Sequence, residues 1–362
     1  MEGKKQRFVG IDIGKRTYEV AIVGANGKVT MSNGKTTIEG RQKLYQKLAS
    51  GDKVALEAGN LAFIIAKELQ AAVGCEIRVL NPSHLALIYG SMKKTDKEDA
   101  LKLAHIIEDT KDERLPVVPI PSDEEMRRRK MVSSYRREQR MRNQAINRLH
   151  GLFLAQGITD VVKSDLATAE ARAETVQALT GHEREEAEHL VACLKLYEGR
   201  IQAVEGKMKE EAKGDEKIQR LQTVPGVGPM ISFAFVAHVA AERFENGAQV
   251  SNYIGLVPRV YISGDTVRYG QITKRGNGFL RALLVQGSWA LIRSKAGGSL
   301  KERYEYMTVE KGICKKKAIV AIARRLAELL YVLMRDGTGY EVRRFKAGKG
   351  EGKKLAQLAI SA

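Results

Sequence analysis

The sequence predicts an α/β amino-terminal domain on a mixed sheet, a helical coiled-coil arm, and a mainly α carboxy-terminal domain. Three observations carry this. Short apolar strands alternate with helical periodicity up to about residue 120. A long Arg/Glu/Ala-rich tract follows. Beyond it, helical periodicity returns between Gly- and Pro-containing turns. Boundaries are accordingly placed at 1–121, 122–215 and 216–345, with a Gly/Lys-rich tail over 346–362 that is expected to be mobile.

The first strand, Phe8–Ile13, sets one carboxylate, Asp12, in an apolar run between Gly10 and Gly14. A second strand spans Tyr18–Val23, and Ala25-Asn26-Gly27-Lys28 is a hairpin signal leading to a third near Val29–Ser32. Helical periodicity over about 38–49 and 61–73 brackets the strand Val54–Ala58, which carries Glu57. Ile77–Leu80 is the next strand. Lys93 to Ala100 opens a helix to about Glu108, and Val117–Ile120 closes the domain. Ser122 with Glu125 three residues on marks a capped start for a helix reaching about Gln156. It carries Arg127, Arg128, Arg129, Arg136, Arg137, Arg140, Arg142 and Arg148 on a thin apolar stripe. Helices over about 166–179 and 182–213 complete the arm. It reads as a solvated hairpin, or as an oligomer contact whose basic face follows a nucleic-acid backbone.

In the last domain, Pro225-Gly226-Val227-Gly228 between helices resembles a helix-hairpin-helix turn. Gly226 and Gly228 either admit a phosphate or simply make a tight turn. A stretch rich in turn residues and cations follows, with Ser263 beside Gly264 and with Arg259, Arg268, Lys274 and Arg275 nearby. It reads as a phosphate-facing loop or as an ordinary turn. Apolar helices are expected over 279–293 and 315–334.

Lys plus Arg total 61 against 43 Asp plus Glu, a formal net charge of +18. Such an excess points to a polyanionic partner, most simply nucleic acid. No apolar run of about 18 residues is present, and the basic start, Met1 to Arg7, leads into strand-like alternation instead of a signal-peptide core. Three widely spaced cysteines, Cys75, Cys193 and Cys314, fit a reducing cytoplasm better than a disulfide framework.

Asp12, Glu57, Asp96 and Asp99 invite a joint reading. A carboxylate in an apolar strand is costly without a cation. Asp96 and Asp99 are three apart on one helical face, where they either complement the helix dipole or repel until a cation joins them. Hard oxygen ligands suit Mg²⁺ or Mn²⁺, and such ions assist phosphoryl displacement.

Read in order, Gly10-Ile11-Asp12-Ile13-Gly14, Leu56-Glu57-Ala58 and Lys94-Thr95-Asp96-Lys97-Glu98-Asp99-Ala100 resemble the DEDD-type insertion-sequence transposases, described as bridge-RNA-guided recombinases. Gly255-Leu256-Val257-Pro258-Arg259, Ser263-Gly264, Gly270 to Asn277, Leu280-Arg281 and the run Lys315 to Leu326 extend the likeness to about Phe345. The resemblance implies a RuvC-like, RNase H-like amino-terminal fold and a carboxy-terminal transposase domain. It implies that Asp12, Glu57, Asp96 and Asp99 hold the metals and that Ser263 is a nucleophile forming a phosphoserine bond to DNA. It further implies a site shared between subunits of a dimer or tetramer, donor and target DNA, a structured noncoding guide RNA, and a bacterial or archaeal cytoplasm. A single serine precedes Gly264 where relatives show two. Rival readings are a sugar-kinase-like phosphate hairpin at Gly10–Gly14, a junction nuclease that hydrolyses with water, and a non-catalytic nucleic-acid scaffold.

Overall fold

The computed structural model describes residues 6–59, 61–82, 84–85, 95–264 and 266–345; the expected mobile tail over 346–362, Lys93 and Lys94 lie outside them. The chain divides into two compact units, Met1–Ser122 and Asp123–Ala362. No helix among the described residues is long and apolar enough to cross a membrane.

The first unit is a mixed α/β domain. Its strands are β1 (Phe8–Ile13), β2 (Thr17–Val23), β3 (Val29–Lys35), β4 (Lys53–Glu57) and β5 (Glu76–Leu80), in the order β3-β2-β1-β4-β5. β1 runs antiparallel to β2 and parallel to β4, which is parallel to β5. The expected hairpin forms: Gly27 adopts φ +74°, and the Asn26 side chain accepts the Lys28 N–H at 3.0 Å. Val117–Ile120 closes the unit against β5 through an isolated bridge between Val117 and Leu80 and a hydrogen bond from the Val118 N–H to the Val79 carbonyl at 2.7 Å.

Alternation along the strands gives the sheet two apolar faces. Val9, Ile11, Val20, Val54 and Leu56 pack in one cluster with Leu44 of α1 (Ile38–Tyr45) and with Ile65, Ala66 and Leu69 of α2 (Ala62–Ala72). Ala21 and Val23 pack with Ala100 and Ala104, and Ala55 with Leu103, Ile106 and Ile107, all from α3 (Asp96–Asp109). Gly10 lets α3 lie against β1. A Cβ there would stand 1.9 Å from the Ala100 carbonyl oxygen and 2.5 Å from the Ala104 nitrogen. Neither backbone atom can yield without shifting the helix. Gly10→Ala is therefore expected to cost about 3 kcal/mol, read as a lower urea midpoint; an unchanged midpoint would refute the close packing.

The second unit is helical apart from one hairpin. It comprises α4 (Asp123–Ala155), α5 (Ala169–Thr175), α6 (Gly181–Lys213), α7 (Glu216–Gln222), α8 (Pro229–His238), α9 (Gly247–Ile254), β6 (Pro258–Ser263), β7 (Thr266–Ile272), α10 (Gly278–Arg293), α11 (Gly298–Glu305) and α12 (Lys315–Asp336). Phe233, Phe235, Leu284, Leu326, Leu330 and Tyr331 are among its fully buried core residues. The helix expected over 166–179 is shorter and broken. Thr168 caps a new start by accepting the Ala171 N–H, and 3₁₀ turns flank α5.

The arm has a small core of its own around Leu149, Phe153, Leu166 and Leu190. The thin stripe on α4 is supplemented by ion pairs to α6: Arg127 and Arg128 to Glu211, Arg142 to Glu198, Arg148 to Glu186. Arg129 and Arg137 also have carboxylate partners, and Arg136 lies 5.7 Å over the Phe279 ring. Arg172 is 1% exposed and meets Glu198 at 2.6 Å. Much of the arginine on this helix thus neutralises acids of its own hairpin, which leaves little of it for a continuous nucleic-acid track.

Candidate active site

β1 and β4 are parallel neighbours, with Ile11 opposite Leu56, so each carries a carboxylate one residue later, Asp12 next to the end of β1 and Glu57 at the end of β4. Side chains two apart on a strand share a face. Asp12 is two beyond Gly10, which abuts α3, and Glu57 is two beyond Ala55, which packs on α3. Both acids therefore lie on the α3 side, at the carboxyl ends of parallel strands, where open α/β sheets place their ligands. Thr95 starts α3 by accepting the Glu98 N–H at 3.3 Å. Asp96, Asp99, Ala100 and Leu103 then follow at helical spacing, so the two acids extend the stripe with which α3 packs on the sheet. Strand ends and first helical turn place Glu57, Asp96 and Asp99 near enough to Asp12 for their charges to act on it.

The electrostatics agree. Burial, then the charges of Asp96, Asp99 and Glu57, push the Asp12 carboxyl up to about 6; an Ile13 backbone hydrogen bond opposes this in part. Burial disfavours the charged form and three like charges add to it. Among the described residues no cation pairs with Asp12, while Lys102 reaches Asp99 at 3.2 Å. Among the described residues, too, no three His, Cys, Asp or Glu groups stand close enough to hold a metal. The acids are charge-coupled without being closed into a cage. Their hard oxygen donors and uncompensated repulsion nevertheless suit a divalent cation of the Mg²⁺ or Mn²⁺ kind.

A fifth carboxylate, passed over in the sequence, faces the same way. Glu19 on β2 is directly opposite Asp12, and its Oε2 is buried without a hydrogen-bond partner.

Ser263 ends β6, paired with Thr266 at the tip of the β6–β7 hairpin, and is exposed. The loop expected here is thus a two-stranded ribbon. Its base is clamped. Gly255 (φ +79°) approaches so closely that a Cβ would stand 2.1 Å from the Arg275 carbonyl, and one on Gly276 would stand 2.0 Å from that of Tyr253. Arg281 donates to the Ile254 and Arg275 carbonyls, both at 2.8 Å, and Asn277 caps α10. The backbone clamp uses Gly255, Gly276, Asn277 and Arg281; the cations Arg259, Arg268, Lys274 and Arg275 stay exposed, without an ion pair among the described residues. Lys274 is held at φ +55°, a conformation unusual for a side-chain-bearing residue.

The Gly226–Gly228 turn lies between α7 and α8. Gly226 (φ +81°) abuts α10, where a Cβ would stand 2.5 Å from the Gly287 carbonyl. Packing alone accounts for that glycine. Gly228, the residue before α8, is exposed and open around its Cα.

Comparison with known proteins first defines the class. A DEDD-type transposase model named for IS110 matches residues 9–157, and the model "Transposase IS116/IS110/IS902 family" matches residues 218–305. A Pseudomonas aeruginosa protein named "Probable family 20 transposase" is 29% identical over 92% of this chain and 98% of its own length. The transposase for insertion sequence element IS1328 of Yersinia enterocolitica is 25% identical over 91% of this chain and 97% of its own. The IS1111A transposase of Coxiella burnetii is 34% identical over 36% of each chain. The chain belongs to the DEDD-type insertion-sequence transposases of the IS110 family, enzymes that process DNA.

Proposed function

We propose that this transposase cuts, exchanges and rejoins DNA strands through a covalent phosphoserine intermediate, guided by a structured RNA of its own element. In this reading the α/β unit is an RNase H-like, RuvC-like domain whose Asp12, Glu57, Asp96 and Asp99 would hold Mg²⁺ or Mn²⁺. The observation that carries the reading is the coupling of Asp12 to those three carboxylates with no compensating cation among the described residues.

When bound, the cation supplies charge neutralisation at the phosphate and lowers the pKa of a coordinated oxygen. Ser263 carries out the exchange. Its Oγ loses a proton and bonds to phosphorus, the phosphorus–oxygen bond to the departing strand breaks, and the proton is returned to the departing oxygen. A hydroxyl is a weak nucleophile at neutral pH and needs such activation. Arg259, Arg268, Lys274 and Arg275 would bind the flanking phosphates and stabilise developing charge, and Gly228 would offer a further phosphate approach. The phosphoserine conserves the energy of the phosphodiester, so rejoining needs no nucleotide cofactor. A dimer or tetramer would bring the serine of one chain to the acids of another, holding donor and target DNA together.

Proteolysis of the complex formed with end-labelled element DNA, followed by mass spectrometry, tests this. A DNA-linked peptide containing Ser263 is expected. Cut DNA with no protein attached would instead mean hydrolysis by water.

A further inference from the structure

We infer that Glu19 is a fifth carboxylate of the acidic site and strengthens its hold on a divalent cation. The inference rests on the metal-binding reading of Asp12, Glu57, Asp96 and Asp99, and adds a residue from a strand that reading leaves out.

The antiparallel register puts Glu19 opposite Asp12 and Ala21 opposite Gly10. Directly opposed residues share a face. Ala21 packs with Ala100 and Ala104 on α3, so Glu19, two residues earlier, occupies the same face at the same end of the sheet as Asp12. β2 therefore adds a carboxylate to those of β1, β4 and the first turn of α3.

The pairing is unfavourable on its own terms. Like charges directly opposed across an antiparallel pair destabilise a sheet, and a buried carboxylate oxygen without a partner forfeits its solvation. Glu19 Oε2 is such an atom, and no ion pair reaches Glu19 among the described residues. Glu19 as a whole is only partly buried, but the two fully buried acids, one just before β4 and one in the arm, are each given a cation. Asp52 is matched by Arg7 at 2.6 Å, and Glu138 by Arg200 at 3.4 Å. A strand needing only a polar residue here would be served by Gln or Thr, which bring no charge. A cation shared with Asp12 supplies what Glu19 lacks, either by direct contact or through a coordinated water.

The test is calorimetric titration of the full-length protein with Mn²⁺ in the absence of DNA, alongside thermal unfolding with and without Mn²⁺. Relative to wild type, Glu19→Gln is expected to bind Mn²⁺ about tenfold more weakly or worse. It should melt higher without metal and gain less on Mn²⁺ addition, and Glu19→Asp should recover part of the affinity. A glutamine variant that binds Mn²⁺ like wild type, or that melts lower without metal, would overturn the assignment and leave the four-acid site standing. Wild-type protein that takes up no Mn²⁺, or an Asp12→Asn variant that takes it up as wild type does, would overturn the metal reading and Glu19 with it.

Discussion

Ser263→Ala is expected to abolish covalent protein–DNA adducts and to lower strand exchange by at least about 10⁴-fold, with the fold intact. The size follows from the chemistry: without Oγ no bond to phosphorus forms, and the exposed cations can bind DNA but cannot break it. Stability should hardly move. Ser263 is exposed at a hairpin tip, and the hairpin is anchored at its other end by Gly255, Gly276 and Arg281. Surface changes of this kind stay within about 0.5 kcal/mol. Denaturing gels of labelled DNA give the first readout and thermal unfolding the second. Adducts that persist in the alanine variant would mean another nucleophile.

Asp12→Asn is expected to move activity and stability in opposite directions. Activity should fall about a thousandfold or more, since an amide is a poor ligand for a hard cation and the several kcal/mol of charge stabilisation it supplies would go. The metal-free protein should be more stable. Folding raises the Asp12 pKa to about 6, so the folded state favours the protonated acid. The stability this confers is complete below the unfolded value near 4 and is lost as pH rises through 6. After discounting for a half-exposed group, the change is about 1–2 kcal/mol. Asparagine carries no charge to gain, so the gap between its urea midpoint and that of the wild type should widen in its favour from pH 4 to 7. A variant less stable than wild type at pH 7 would show that the carboxylate is already compensated.

Local signals carried much of this architecture. The Asn26-Gly27 hairpin, the helix starting beside Thr95 and the four acids were legible because each is set within a few neighbouring residues. The helix Gly247–Ile254, capped by Asn246, went unnoticed because two turns offer little periodicity. Other features depend on partners far along the chain. Gly226 reads as a phosphate turn until Gly287 is seen against it, 61 positions later. The arginines of α4 read as a solvated face or a nucleic-acid track until acids of α6 take up four of the eight. Glu19 needed only the register of one hairpin: Gly14 N–H bonds the Thr17 carbonyl at 2.9 Å, and the count back along both strands pairs it with Asp12.

The most direct measurement is anomalous scattering from crystals of the protein grown or soaked with Mn²⁺. Manganese peaks are expected within ligand distance of Asp12 and of at least two among Glu57, Asp96 and Asp99. Peaks only elsewhere, or none at this corner of the sheet in crystals with manganese at saturating concentration, would contradict the metal reading.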